Sequence, residues 1–278
     1  MKVAAPFFLV AVLAIASAMA GCTDRSDPGA DGPAPGGPSG AGSSGTVSSG
    51  PTTPGGAPAI LDWSLPECRQ LRTTIRQEKE AASEGLPPDH ELQGEGVAIL
   101  DLLVLDCPAA VVGNVSVVRG FRAAFLYHLL QPFSDNPNEE DGFLREAVVS
   151  DAATAAALVA WGLPTVVGSI ELAPVGEAWS LVIDGPGMQV EVTGAPPTAE
   201  LQPSDRSGVL RYRGGDASTW YWLEDGFQET ASRQGSDPVL VQASAGYLAD
   251  GFPLGLTVGV IVEATGSHHW VLGRQVFT

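Results

Sequence analysis

The sequence predicts a mainly β (α+β) fold for residues 59–278: an antiparallel double sheet or a closed β-barrel with two short helices. Stretches of strand length that alternate apolar and polar residues, or are continuously apolar, recur through this region. Clusters of Gly, Pro, Asn and Asp separate them, as turn residues do. Only two segments carry helix signals. Many short strands with turns between them are typical of sandwiches and barrels.

The first half of this region contains three predicted strands and one predicted helix. Residues 71–76 have strand character, and residues 77–84 then have the composition of a short helix that ends at the Gly85-Leu86-Pro87-Pro88 turn. Residues 97–105 are rich in Val, Ile and Leu, which favours a buried strand. Residues 123–130 are a further candidate. The strands that pair with these segments must come later in the chain.

The second predicted helix follows a short strand at residues 147–149. Asp151 is a suitable N-cap for the alanine-rich run 152–160, and the helix must end near Gly162 and Pro164. The remaining apolar stretches predict strands at 166–172, 179–183, 188–193, 209–212, 219–223, 239–244, 256–263 and 270–277.

The first residues have the layout of a secretory signal. Lys2 precedes an apolar stretch at residues 3–16, and a run of small residues then leads to Cys22. The apolar stretch is shorter than the roughly 20 residues that a membrane-spanning helix needs. We therefore expect residues 1–21 to be a cleaved signal peptide.

Cys22 is the predicted site of lipidation. The segment Met19-Ala20-Gly21-Cys22 resembles the bacterial lipobox, although Leu is commoner than Met at its first position. The resemblance implies an acylated (palmitate-type) lipoprotein whose partner is the lipid bilayer, held outside the cytoplasm on the cell membrane or the outer membrane. Two or more acyl chains make a lasting anchor. The alternative is an ordinary cleavage site that happens to precede a cysteine.

Residues 22–58 are predicted to be a disordered tether. They consist almost entirely of Gly, Pro, Ser, Thr and Ala, and bury too little apolar surface to offset conformational entropy. A flexible chain of this length reaches about 30 Å. No second low-complexity segment interrupts residues 59–278, which predicts one globular domain there.

The formal charge of −18 limits the partners. Nucleic acids and anionic lipid surfaces require clustered Lys and Arg, whereas the predicted domain contains one lysine, Lys79. We therefore expect no nucleic-acid partner. The composition does not indicate an oligomeric state.

Cys68 and Cys107 remain after Cys22 is assigned to lipidation, and a pair of cysteines in an exported domain predicts a disulfide. Metal binding is the alternative, but two thiols without paired histidines make a poor zinc site. No metal or cofactor is expected.

The predicted domain resembles the acetoacetate decarboxylase family. The strand, short helix and Leu86-Pro87 of residues 71–92 follow the order of that family, and Trp161-Gly162-Leu163-Pro164 resembles its Trp-Gly-x-Pro motif. The resemblance implies a β-rich double sheet or barrel around a ligand cavity. It covers most of residues 71–277, and only the four-residue motif is specific.

The same resemblance argues against the Schiff-base chemistry of that family. In the family an Arg and a Glu precede the Trp-Gly and a Schiff-base lysine follows the Pro, whereas this chain has Leu158, Val159 and Thr165 there. Threonine cannot form an imine, and Lys79 lies among glutamates. We therefore expect a non-catalytic domain that binds a small apolar molecule or is structural, with Trp161, Pro164 and Thr165 at the pocket and Tyr127 and His128 as neighbours.

Two alternatives remain open. The first is an enzyme, decarboxylase-like or a hydrolase, that uses carboxylate or histidine chemistry in the same cavity. The second is a cell-surface interaction module, which the aromatic run Trp220-Tyr221-Trp222 would serve. We expect His268-His269 to lie in a turn after Gly266 and residues 139–141 to form a solvated loop. Neither the two histidines nor this acidic segment therefore supports either alternative.

Overall fold

The structure is a computed structural model, and it describes residues 62–87, 90–112, 116–132, 136, 138–175, 178–195, 197, 199–215, 219–252 and 255–276. All of these residues belong to the unit Thr52–Thr278. The predicted signal peptide (residues 1–21), the lipidation site Cys22 and the tether (residues 22–58) lie outside the described residues. Among those described, no helix is both long and apolar enough to cross a membrane.

The described residues are mostly β, with short helices between the strands. The strands are β1 (Asp62–Glu78), β2 (Val97–Val112), β3 (Ser116–Leu129), β4 (Glu139–Val149), β5 (Thr165–Val167), β6 (Ser169–Val175), β7 (Ala178–Gly185), β8 (Met188–Gly194), β9 (Gln202–Pro203), β10 (Ser207–Gly215), β11 (Thr219–Gln234), β12 (Val239–Ala245) and β13 (Leu256–Val276). The helices are α1 (Lys79–Ala82), α2 (Ala152–Ala160) and α3 (Tyr247–Gly251). The predicted mainly β class is confirmed.

Seven strands form a closed ring in the order β13-β1-β2-β3-β4-β10-β11, and β11 returns to β13. The pairs around the ring are antiparallel except β4–β10, which is parallel. The short β5 also pairs in parallel with β4. A closed ring leaves none of its seven strands with a free edge.

The strands β6, β7, β8 and β12 form an arm that joins the ring through the first part of β13. Apolar side chains of this arm, among them Ile183 and Val192, pack against outward-facing residues of the ring such as Leu102, Leu126 and Val148. The molecule therefore combines both predicted architectures, because part of a closed ring is also one layer of a double sheet.

Aromatic side chains fill the interior of the ring. The Trp63 and Trp270 rings stack with centroids 6.2 Å apart, and Phe121 meets both edge-on. Leu158 of α2 belongs to the same buried cluster, so the helix covers this part of the core. The start of α2 follows its prediction, because Asp151 accepts hydrogen bonds from the Thr154 backbone N–H at 2.8 Å and hydroxyl at 2.7 Å.

The predicted disulfide between Cys68 and Cys107 is confirmed. It joins β1 to β2, and both residues are fully buried in the interior cluster. The register of β1 against β13 shifts between Leu65 and Cys68, so the bridge lies beside an irregularity of the strand. The crosslink holds two ring strands together where regular pairing is interrupted.

Two predicted elements have different lengths in the structure. The helix expected at residues 77–84 is only four residues long, because β1 continues in register with β2 as far as Glu78 opposite Val97. The strand expected at residues 166–172 is two strands, β5 and β6, and Gly168 lies between them. A Cβ at Gly168 would approach the Asp184 carbonyl oxygen within 2.5 Å, so this break requires glycine.

Two expected loops are strands, and the helix α3 was not predicted. Glu139, Glu140 and Asp141 begin β4, where Asp141 is 1% exposed and paired with Arg213. The expected turn at His268 is also wrong, because β13 runs without a break past this residue. Neighbouring strands on both sides override the local turn signal of Gly266, since β13 pairs with both β1 and β11 there.

Candidate functional site

A two-lobed cleft on the outside of the ring is the candidate site, and we call it the outer cleft. Its polar lobe has a volume of about 700 Å³ and includes Arg145, Tyr247 and Asp250. Its apolar lobe has a volume of about 490 Å³ and includes Thr165. Glu146, Gly162 and Pro164 line both lobes.

A β-bulge in β4 forms the centre of this cleft. Leu126 of β3 pairs with Glu146, whereas the next residue, Tyr127, pairs with Leu144. Arg145 is therefore the extra residue of the bulge, and the usual alternation of side chains between the two faces is broken. Both Arg145 and Glu146 consequently line the polar lobe.

The Arg145 guanidinium is held by hydrogen bonds in several directions. It donates to His128 Nδ1 at 3.0 Å, to the Glu84 carbonyl at 2.9 Å and to the Ala82 carbonyl at 2.6 Å. It also lies over the Tyr247 ring, 4.7 Å from the centroid. Burial lowers the pKa of Arg145. These contacts fix the side chain as one wall of the cleft.

His128 is fully buried, and both of its ring nitrogens have partners. Its Nδ1 accepts from Arg145, which places its proton on Nε2, and Nε2 lies 2.9 Å from the Gln77 side-chain oxygen. Burial first, and the charge of Arg145 second, lower the pKa of His128 to about 3. The ring is therefore neutral near pH 7 and positions Arg145 rather than acting as a base.

Glu146 has the chemical features of a ligand-binding or acid–base group. Its Oε1 accepts a 2.6 Å hydrogen bond from the Tyr247 backbone N–H, whereas its buried Oε2 has no hydrogen-bond partner among the described residues. Burial raises the pKa of Glu146 to about 7, and the charge of Asp250 acts in the same direction. Near neutral pH this carboxyl can therefore donate or accept a hydrogen bond.

Thr165 places a second unpaired polar atom in the apolar lobe. The residue is 6% exposed, and its buried Oγ1 has no partner among the described residues. The other side chains around it are largely apolar: Ala147, Val159, Leu163, Pro164, Val166 and Met188. A hydroxyl with no partner in such surroundings is available to a ligand.

The sequence-predicted site residues fall into three groups. Pro164 and Thr165 line the outer cleft, and His128 reaches it through Arg145. Trp161 is half-buried at the end of α2 and lines neither lobe. Tyr127 follows the alternation of β3 to the opposite face and lies inside the ring, 5.1 Å from the Tyr212 ring.

Sequence reasoning missed Arg145, Glu146 and Tyr247. A usable signal existed for the first two, because they are adjacent charges in the otherwise apolar segment 143–149. Tyr247 lies about a hundred residues away from Glu146 in the chain, and nothing local indicates that they meet. In the part of the chain that the structure describes, no group of three or more His, Cys, Asp or Glu could hold a metal ion.

The aromatic run proposed for an interaction surface is only partly described. The side chain of Trp220 lies outside the described residues. Trp222 is half-buried and lies against Gly273, where a Cβ would approach the indole within 2.2 Å. Tyr221 lines the polar lobe instead and lies against Gly162.

Comparison with solved structures identifies similar folds. The chain resembles acetoacetate decarboxylase from Legionella pneumophila with a TM-score of 0.54 and 11% identity, over 81% of this chain and 92% of that one. It also resembles the enduracididine biosynthesis enzyme MppR, with pyruvate bound (TM-score 0.52, 14% identity, 80% and 91% coverage) and with HEPES bound (0.53, 15%, 84% and 98%). No family model and no curated protein matches the sequence. The fold is therefore acetoacetate-decarboxylase-like.

Proposed function

We propose that this protein is a membrane-anchored extracytoplasmic lipoprotein whose domain binds a small, largely apolar molecule with one polar end in the outer cleft. The observation that carries the proposal is a pair of buried polar atoms beside an apolar lobe, Glu146 Oε2 and Thr165 Oγ1, which have no hydrogen-bond partner among the described residues. Such atoms cost free energy unless a partner satisfies them. A ligand that supplies the partner while filling the lobe explains both features.

Binding at this site is non-covalent. Thr165 follows Pro164 at the position where the resemblance to the acetoacetate decarboxylase family implies a Schiff-base lysine, and none of the residues lining either lobe is a lysine. Imine formation needs a primary amine. The residues that line the two lobes therefore offer hydrogen bonds and apolar contacts but no amine nucleophile.

The chemistry of the cleft favours a neutral ligand. A Glu146 carboxyl with a pKa of about 7 is partly protonated at neutral pH and can donate to a carbonyl oxygen. Asp250 also lines the polar lobe and disfavours an anion there, while the Arg145 guanidinium of the same lobe already donates to His128, Glu84 and Ala82. A ketone, alcohol or ester with an alkyl body of several carbons fits this combination better than a carboxylate.

Binding can be tested with three probes of matched length: 2-heptanone, 2-heptanol and heptanoate. Saturation-transfer NMR on the lipidated protein in nanodiscs should show binding of the ketone and alcohol, with heptanoate much weaker. T165V should weaken ketone binding about 5–10-fold, since it removes a hydroxyl and a hydrogen bond contributes about 1 kcal/mol, whereas E146Q keeps an N–H donor and should weaken binding less. T193V and E171Q, in half-buried and exposed positions outside the cleft, are the controls. Ketone binding that is absent or unaffected by both cleft variants would refute the proposal.

The anchor has its own test. A C22A variant should lose incorporation of an alkyne-labelled fatty acid and move from the membrane fraction to the soluble extracytoplasmic fraction. C68A, which keeps Cys22, should still be labelled in the protein that accumulates. Membrane retention of unlabelled C22A would overturn the assignment of Cys22 as the anchor.

A second candidate is an enzyme that uses Glu146 as a general acid or base. The observation in its favour is the pKa near 7, which suits proton transfer at physiological pH. Prolonged incubation of the bound ketone or a matched ester with the protein separates the two candidates. Chemical conversion that disappears in E146Q would indicate the enzyme, and unchanged probe indicates the binding protein.

A further inference from the structure

A second cavity lies inside the strand ring and shares no lining residue with the outer cleft. Its volume is about 30 Å³, which is room for about two water-sized groups. Its lining includes polar side chains, among them Gln70, Tyr127 and His268, and apolar ones such as Leu103 and Val262. A small cavity with this many polar groups in a protein core has room for ordered water or for a polar group of a ligand.

An aspartate–histidine pair orients one of these groups. His268 Nδ1 lies 2.8 Å and 3.0 Å from the two carboxylate oxygens of Asp225, and both residues are almost fully buried. A nitrogen between two acceptor oxygens carries the ring proton, so Nε2 of the neutral ring is an acceptor. This Nε2 is buried without a hydrogen-bond partner among the described residues.

Two further buried groups at the cavity are donors without partners. The Tyr127 hydroxyl and the Gln70 side-chain Nε2 make no hydrogen bond within the part of the chain that the structure describes. Tyr127 is fully buried and Gln70 is 7% exposed. The cavity therefore offers one acceptor, at His268, and two donors. A ligand hydroxyl group satisfies both kinds, because it donates and accepts as a water molecule does.

The charges around the cavity exclude an anion. Arg206 is already paired, at 2.7 Å with Glu140 and at 3.1 Å with Glu229. Arg72 lies 3.9 Å from Glu140. With Asp225 also in the wall, carboxylates outnumber guanidinium groups. A carboxylate ligand would meet like charges, so the cavity suits a neutral molecule.

A larger cleft shares two lining residues with this cavity. Arg72 and Glu140 line the cavity and also a cleft of about 610 Å³ that contains Gln93, Asp101 and Asn136. We call it the mouth cleft. Its amide and carboxyl groups can hydrogen-bond several hydroxyls, and the buried Asp101 Oδ1 has no partner among the described residues. Burial raises the pKa of Asp101.

We propose that the mouth cleft and the interior cavity together form a second ligand site, which takes a small neutral polyol. One hydroxyl of the ligand enters the cavity, donates to His268 Nε2 and accepts from Tyr127 or Gln70. The other hydroxyls remain in the mouth cleft. Asp225 is a positioning residue in this site, because it sets which nitrogen of His268 faces the ligand. The site is independent of the function proposed for the outer cleft.

The test uses the full lipidated chain in nanodiscs. Equilibrium dialysis with radiolabelled glycerol, erythritol and glucitol measures binding, and glycerate serves as the anionic counterpart of glycerol. The chain contains only four histidines, so NMR of protein labelled with ¹⁵N-histidine reports the state of His268 directly. We expect polyol binding, a shift of the His268 Nε2 signal on binding, and at least tenfold weaker binding of glycerate.

Two tyrosine variants provide a matched comparison. Y127F removes a hydroxyl at the cavity, whereas Y212F removes a hydroxyl that does not line the cavity but is equally buried and likewise has no partner in the described part of the chain. Neither removes a hydrogen bond described in the structure, so both should fold. Y127F should weaken polyol binding about 5–10-fold, and Y212F and the outer-cleft variant E146Q should leave it unchanged.

Three results would overturn the second site. They are the absence of polyol binding, equal effects of Y127F and Y212F, and binding of glycerate as tight as that of glycerol. E146Q and T165V change only the outer cleft. The polyol experiment can therefore still be interpreted if the heptanone experiment fails. The two proposals therefore stand or fall separately.

Discussion

Arg145 and Glu146 are consecutive residues, yet both contact Tyr247: the Arg145 guanidinium lies over its ring and the Glu146 carboxylate accepts its backbone N–H. Regular alternation along β4 would turn one of these charges into the apolar interior of the ring. The bulge avoids the free-energy cost of burying a charge there and places both charges beside α3. The outer cleft is thus a product of one extra residue in a strand.

The E146Q variant should be more stable than the parent above pH 7 and nearly equal to it below pH 4.5. Folding raises the pKa of Glu146 from 4.5 to about 7, so the folded state favours the protonated form. That preference is fully present below pH 4.5 and is lost as pH rises through 7. After allowance for the partial exposure of Glu146, we expect the free energy of unfolding of E146Q to exceed that of the parent by about 1–2 kcal/mol at pH 8.5, as measured by urea unfolding.

The exposed Glu171 provides the control for this experiment, and E171Q should change stability by less than about 0.5 kcal/mol at either pH. An E146Q effect of the same size at pH 4.5 and pH 8.5 would contradict the assigned titration.

The H128Q variant should remove part of the acid sensitivity of the fold. The pKa of His128 falls from 6.5 to about 3 on folding. The contribution of neutral His128 to the free energy of unfolding is therefore fully present above pH 6.5 and is lost as pH falls through 3. An uncharged Gln removes this dependence. We expect H128Q to cost about 1–3 kcal/mol at pH 7 and less at pH 4, by urea unfolding at both values. A cost that grows as the pH falls would argue against a neutral buried His128.

Removal of the disulfide by C68A/C107A should destabilise the domain by about 4 kcal/mol. The bridge closes a loop with a sequence separation of 39, and the chain-entropy relation gives a cost of this size. Adding reductant to the parent should lower its free energy of unfolding, measured with denaturant, by most of this amount. Reductant should have no effect on the double variant. A parent that unfolds identically in both conditions would mean that the crosslink does not form in solution.

The G162A variant should destabilise the domain and alter the polar lobe. Gly162 has a φ of +83°, and a Cβ there would lie 2.9 Å from the Tyr221 ring. Left-handed backbone and steric contact both disfavour Ala, so we expect a loss of about 1–3 kcal/mol. G187A shares the positive φ of +84° but meets no atom within 4 Å, and it should cost less. Thermal unfolding of both variants, with tyrosine fluorescence as a second readout, checks the difference.

Features encoded by neighbouring residues were predictable from the sequence. Helix α2 begins and ends as expected because its cap, Asp151, and its stop, Gly162, act on the residues beside them. The Cys68–Cys107 bridge follows from there being no other cysteine in the predicted domain. The family resemblance also identified the fold, although a specific match was confined to four residues.

Features that depend on distant strands were not predictable. The bulge at Arg145 is a property of the register between β3 and β4, and the same residues in isolation show no extra position. His268 was assigned to a turn because Gly266 is close by, whereas pairing of β13 with two other strands determines its conformation. Its partner Asp225 lies 43 residues earlier. Local signals carry no information of this kind.

The ring is closed by its first and last strands, since β1 pairs with β13 along most of its length. The ribosome synthesises β1 long before β13, so a growing chain cannot close the ring until the residues of β13 have been made. Contacts this far apart in sequence also make folding slow. The ring of strands therefore stays open while β1 to β12 are being synthesised.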